Sequence, residues 1–235
     1  MRRAASALAA ALACAALLGP GCAGVAGPEG EDGSSKHSLP SFAKPQAGLL
    51  DAAAQWPADG IPYRTLTRED FRGTTAPPQV AGHQDRLGAY TCGNVVPDAG
   101  MGMMVQQDPA TGRFFGELIG VRYLAQMDPE CSWWNPKPIG IPPEYLLQHE
   151  QIHFALVEIE ARELARRVEP LTVSGATLAE ARAALERALE AEMKAALERI
   201  VERNLAFDED TSARYAPEAQ QRWYERVQAE LARGN

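Results

Sequence analysis

The five residues His149-Glu150-Gln151-Ile152-His153 carry the clearest chemistry in the chain. On a helix, residues four apart stand one above the other, so both imidazoles can reach one metal ion from the same face. Glu150 is turned by about 100° from His149, where its carboxylate meets a water beside the ion rather than the ion itself. Zinc lowers the pKa of such a water toward neutrality, and a carboxylate takes the proton as the oxygen attacks a carbonyl. Three residues thus offer two ligands for a zinc cofactor and one catalytic base. The competing explanation is a glutamate-rich helix that carries two histidines as solvated or core side chains and binds no metal.

A catalytic zinc generally has three protein ligands, and this motif supplies two. Glu158 lies about 140° around the helix from His153 and points elsewhere; Glu160 faces the right way but sits about 10 Å along the axis. No glycine follows His153 to turn the chain back. The third ligand then comes from another element. Candidates are Glu186, Glu190, Glu198 and Glu202 on a second helix, or the Asp208-Glu209-Asp210 run that follows it. His83 is a weaker candidate, because a loop histidine is usually just exposed.

The elements that must hold these groups divide the chain in two. Between Trp56 and Val96 prolines and glycines recur every few residues, which predicts short strands and turns. Tyr63 to Leu66 alternates as a strand does, and Thr67 to Phe71 reads as a capped single turn of helix. Met103–Gln107 and Arg113–Met127 flank a loop with proline early and glycine late, which predicts a hairpin. Cys131 to Pro143 reads as an irregular, aromatic-rich connection. Pro142 and Pro143 suit the first turn of a helix running to Val168, since early helical N–H groups have no internal partner to lose. Thr177-Leu-Ala-Glu180 is a capping box for a second helix, with apolar positions from Leu178 to Val201 at three- and four-residue spacing. The second helix should pack antiparallel on the first, and a third covers Pro217 to Ala232. The class is therefore α+β: an N-terminal meander of short antiparallel strands and a hairpin packed on C-terminal helices, with the cleft between them at His149. Trp133, Trp134 and Tyr145 are candidate walls of that cleft, with core packing the expected role of at least one tryptophan.

The first residues read as an export signal. Arg2 and Arg3 precede an uncharged run from Ala4 to Leu18 that ends in Gly19-Pro20-Gly21-Cys22. This is similar to a bacterial lipoprotein signal over residues 1–22, with Cys22 as the lipidated residue; cleavage after Cys22-Ala23-Gly24 is the alternative. Residues 23–46 have the composition of a flexible tether, and residues 47–235 suffice for one domain with a sizeable core. The expected location is the bacterial envelope, on a lipid anchor in the outer membrane facing the periplasm, or secreted. In an oxidising compartment Cys92 and Cys131 are expected to pair, the alternative being two separate buried thiols. A net charge of −8, mixed along the chain, argues against a nucleic-acid partner.

Taken together, "LTREDFRGT" (66–74), "CSWW" (131–134), "LLQHEQIHFALVEIEARELARR" (146–167), "FDEDT" (207–211) and "QQRW" (220–223) resemble, in colinear order, a family of bacterial secreted proteins. That family is a domain of unknown function grouped with HExxH zinc peptidases. The resemblance implies a zincin-like motif helix, with Glu158, Ala161 and Arg162 at matching positions. Where the family's tail has a histidine-glycine pair this chain has Ala213-Arg214; if that histidine serves the metal in the family, the resemblance implies that Asp208 or a water substitutes for it here. Two functions follow as expectations. One is a membrane-tethered zinc metallopeptidase acting on a peptide or protein of the envelope, with His149, His153 and Asp208 as ligands and Glu150 as base. The other is a catalytically inactive envelope lipoprotein that binds a partner through the same fold.

Overall fold

A computed structural model describes residues 60–233 apart from 79, 81–85, 138 and 212–214. The expected export signal over residues 1–22 with Cys22, the expected tether over residues 23–46, and His83 lie outside the described residues.

Among the described residues, eight short strands precede or interrupt three α-helices. Three small antiparallel sheets form: β1 (Ile61–Pro62), β6 (Tyr123–Met127) and β3 (Gly93–Pro97) in that order; β2 (Ala89–Tyr90) with β7 (Trp133–Trp134); and β4 (Gly102–Gln107), β5 (Phe114–Ile119) and β8 (Thr172–Gly175). The helices are α1 (Pro143–Val168), α2 (Leu178–Thr211) and α3 (Pro217–Arg233). The class is α+β. No described helix is long and apolar enough to cross a membrane.

α1 is the centre of the molecule, and its sequence explains why. Apolar side chains occur nearly all round it, which marks a helix covered on several sides. Phe154, Val157, Ala161, Leu164 and Val168 pack on Val95, Tyr123, Ala125 and Met127 of the strands and on Leu185, Ala196 and Ile200 of α2. Ile152, Ala155, Leu156 and Ile159 meet Phe207 of α2 and Trp223, Val227 and Leu231 of α3. α1 and α2 run antiparallel: Arg167 pairs with Glu192, buried Glu160 with Arg199, His153 with Asn204 and His149 with Asp208.

The structure departs from the sequence reading at several elements. The long second arm of the hairpin is two strands in different sheets. Gly120 breaks it at φ 62°, where a Cβ would lie 2.7 Å from the Gly100 carbonyl oxygen, so only glycine fits the turn. Tyr63–Leu66 forms no strand: β1 ends at Pro62, and Arg64 turns aside to pair with Asp70 at 2.6 Å beside the single helical turn at Arg68–Asp70. The segment after α1 is a strand, β8, which adds a third member to the hairpin sheet through Gly116↔Val173. The Cys131–Pro143 connection contains β7. α2 is longer than the apolar stripe indicates and runs through Asp208-Glu209-Asp210 to Thr211, so these acids belong to its last turn rather than to a following loop. Nothing in that stretch is glycine or proline, and Thr211 Oγ1 donates to the Phe207 carbonyl oxygen at 2.7 Å.

Cys92 and Cys131 form a disulfide with Cα atoms 5.8 Å apart. It fastens the joint between β2 and β3 to the turn before β7, and beside it Cys92 N donates to Ser132 Oγ and Asp128 N donates to the Cys92 carbonyl oxygen.

Candidate metal centre

Two turns of helix face each other across the α1–α2 seam. On α1, His149 and His153 are one turn apart; on α2, Asn204 and Asp208 are one turn apart in the opposite direction. The antiparallel register sets Asp208 beside both imidazoles. Its Oδ1 lies 3.2 Å from His149 Nε2 and 3.2 Å from His153 Nε2, and the two Nε2 atoms are 3.1 Å apart. These three residues are the one cluster of metal-ligating side chains among the described residues.

What the far nitrogens do decides the chemistry. His153 Nδ1 lies 2.5 Å from Asn204 Oδ1, and the amide cannot be turned around, because Asn204 Nδ2 donates to the Ile200 carbonyl oxygen at 2.8 Å. His149 Nδ1 lies 3.2 Å from Gln220 Oε1, and that amide is fixed by donation from Nε2 to the Tyr145 carbonyl oxygen at 2.9 Å and to Gln148 Oε1 at 2.9 Å. Each Nδ1 therefore carries hydrogen and donates it to an amide oxygen. Each Nε2 of the neutral ring is left with a lone pair aimed at the other and at a carboxylate oxygen. Three acceptor atoms within 3.2 Å repel one another unless a cation or an added proton lies between them.

In the absence of a metal that cation is a proton. Burial works against charge on His153, but the Asp208 carboxylate and its hydrogen bond outweigh burial, and His153 is pushed up to about 9. Burial likewise opposes ionisation of Asp208, yet the charge on His153 beside it and the hydrogen bonding at its Oδ1 hold it well below the usual carboxylate range.

A metal suits the same atoms. Tetrahedral zinc with bonds of about 2.0–2.1 Å sets its ligand atoms about 3.3–3.4 Å apart; the three atoms here are 3.1–3.2 Å apart. Two imidazoles and one carboxylate are an open, three-ligand donor set for zinc, and amide oxygens on the far nitrogens fix ring orientation as outer partners of metal ligands do. The side chains of His149, His153 and Asp208 are 11%, 18% and 21% exposed.

The walls are apolar. Phe207 is fully buried beneath both imidazoles, with ring centroids 4.5 Å from His149 and 4.9 Å from His153, and it rests edge-on against Trp223. Tyr145 stacks 6.5 Å from His149, its hydroxyl donating to the Thr211 carbonyl oxygen and accepting from Ala216 N. Glu150, next to His149 on α1, is buried at 3% exposure; its Oε2 accepts from Thr91 Oγ1 at 2.6 Å, and its charge is among those that act on His153. The Tyr90 phenol is raised by burial and then by the charges of Glu150 and Asp208, so it stays protonated within electrostatic reach of both carboxylates.

Several candidate residues stand elsewhere. Glu158 is not at the metal centre: it pairs with Arg162 at 2.7 Å and accepts from Ala125 N, on the face of α1 turned to β6. Glu160 pairs with Arg167 and Arg199. Glu186 and Glu198 pair along α2 with Arg182 and Lys194, on its solvated face. Trp133 packs with Ala76 and Val80, and Trp134 lies against Phe71 under the Arg68 guanidinium, so neither tryptophan walls the site. The imidazoles sit on the seam of α1, α2 and α3, with Tyr90 and Thr91 of the strand half on the Glu150 side. Two open cavities of about 400 and 500 Å³ are lined by none of His149, Glu150, His153 or Asp208.

Asn204, Gln220 and Thr91 are site residues that the sequence reading missed. A signal existed for the first two. Continuing the α2 stripe beyond Ile200 by threes and fours reaches Asn204, Phe207, Asp208 and Thr211, and the α3 stripe of Trp223, Val227 and Leu231 begins with Gln220. A polar side chain on a buried face needs a partner there. Thr91 carries no such signal, since its contact with Glu150 spans 59 residues.

The chain matches no protein-family model, no characterised protein and no solved structure.

Proposed function

We propose that the chain is a zinc-dependent peptidase. The observation that carries this reading is the convergence of three acceptor atoms, with both Nδ1 hydrogens committed to amide oxygens fixed from behind. His149 and His153 would hold zinc through Nε2 and Asp208 through Oδ1. When bound, zinc acidifies a water and polarises a carbonyl. Glu150 then receives a proton at its carboxylate and returns it to the leaving amine. Tyr90 offers a neutral donor to negative charge that develops nearby. Phe207 and Tyr145 keep the site poor in water, which strengthens each of these polar contacts. The likeness of the HEQxHF block to bacterial secreted zinc peptidase-like proteins supports the same reading. The export signal over residues 1–22, with lipid attached at Cys22, would put the activity in the cell envelope and make an envelope peptide or protein the substrate.

A second reading, a metal-holding envelope lipoprotein that binds a partner without catalysis, is favoured by one observation: the base itself is only 3% exposed. Glu150→Gln separates the two. Under the peptidase reading the variant retains one zinc per chain and loses cleavage of a peptide library that the wild type cuts. A wild type that holds zinc and cuts no peptide contradicts the peptidase reading and leaves the binding protein.

A further inference from the structure

The strand half of the molecule makes several polar contacts with the motif helix, through Leu66 N to Gln151, Ala125 N to Glu158 and Thr91 to Glu150, and the last of these reaches the motif's own carboxylate. β2 and β3 are separated by Thr91 and Cys92, and this joint lies against α1 because Gly93 has no side chain: a Cβ there would meet Val157 Cγ2 at 3.1 Å. The joint is pinned from behind by the Cys92–Cys131 disulfide and by the hydrogen bonds of Cys92 N and O to Ser132 and Asp128. From it the Thr91 hydroxyl donates to Glu150 Oε2 at 2.6 Å. Oε1 of the same carboxylate accepts from none of the described residues. A glutamate side chain on a helix has three rotatable bonds, and this one is held at its tip by a group from another part of the fold.

We infer that Thr91 is a positioning residue for Glu150: it holds Oε2 and so leaves Oε1 as the oxygen that exchanges protons with whatever occupies the metal centre. This rests on the reading of the site as a metal-dependent hydrolase. It goes beyond that reading in assigning part of the proton transfer to the strand half of the chain, 59 residues away in sequence. A neutral threonine suits the task, because it donates one hydrogen bond to the carboxylate without supplying a charge that would compete with the metal for it. Tight packing of the joint matters, since a displaced donor no longer fixes which oxygen is presented.

The test uses acetohydroxamic acid as a probe on the zinc-loaded full chain, because its binding needs no knowledge of the substrate. On binding at the zinc site the neutral acid would give up its hydroxyl proton, which Glu150 Oε1 would receive to become a carboxylic acid. Thr91→Val keeps shape and loses the donor; it should weaken acetohydroxamate by about 10- to 100-fold, the loss typical of removing an outer partner, with zinc affinity unchanged. Thr91→Ser should restore the wild-type affinity for the probe. Equal binding of the probe by wild type and Thr91→Val overturns the inference and leaves the hydrolase reading standing. A parallel loss of zinc affinity in Thr91→Val also overturns it, by showing that the residue only supports the fold. A wild type that holds zinc and binds no acetohydroxamate overturns the hydrolase reading, and the role of Thr91 with it.

Discussion

The pH dependence of the metal-free protein follows from the crowding of three acceptors. His153 is raised from an ordinary 6.5 to about 9 by Asp208 acting against burial. A group whose folded pKa is raised contributes stability that is fully present below its unfolded value and is lost as pH climbs through its folded value. The window is therefore pH 6.5 to 9, and the size is about 3 kcal/mol at 1.36 kcal/mol per pKa unit. For a domain of this size that is about 6–12 °C in melting temperature. Thermal melts of chelator-stripped protein across this window should fall by that amount, whereas melts of zinc-loaded protein should stay flat, because the cation replaces the proton. Zinc affinity, measured by competition with a chelator of known pH behaviour, should rise about tenfold per pH unit between pH 7 and 9 and level off above, one proton being released per ion. Asp208→Asn removes the charge that raises His153 and should abolish the slope of the metal-free melts. Metal-free melts that are flat or rise between pH 6.5 and 9 would refute the reasoning, since His153 would then carry no proton between the acceptors.

Asn204→Leu and Gln220→Leu each leave an imidazole N–H without its amide oxygen and should weaken zinc by about 10- to 100-fold in the same competition assay; Asp208→Ala, which removes a ligand itself, should cost more. Phe207→Ala empties a fully buried ring from beneath both imidazoles and should destabilise the protein by about 3–5 kcal/mol in urea unfolding, with zinc affinity falling as the rings lose their support. Reduction of the disulfide opens a loop closed over a separation of 39 residues, and the same unfolding assay should show a loss of about 4 kcal/mol.

Much of the helical half is legible in the sequence, because each helix carries an apolar stripe and a start signal at Pro143, Thr177 or Pro217. The strand half is less so. Its strands are two to six residues long, and the pairings that define them, such as Phe115 with Ser174 or Ala89 with Trp134, join segments far apart in the chain. The alternation near Tyr63 promised a strand that a single ion pair, Arg64 with Asp70, turns aside. At the metal centre the two histidines declare themselves through their spacing, but a spacing rule on one helix is silent about the facing one. Asp208 emerges only when α2 is continued past its last large apolar residues and laid antiparallel on α1. The amide oxygens behind the imidazoles depend on that same register. Thr91 depends on how a strand joint lands on a helix, which no local pattern encodes.

The central claim is that His149 Nε2, His153 Nε2 and Asp208 Oδ1 grip one divalent cation. X-ray absorption at the zinc edge, on chelator-stripped protein given one equivalent of zinc, tests it most directly. The account predicts one tightly held zinc per chain with two imidazole nitrogens and light oxygen ligands at about 2.0–2.1 Å, and loss of the imidazole signature in the His149→Ala, His153→Ala double variant. Zinc that stays in the dialysate, or a bound ion with no imidazole in its shell, would contradict it.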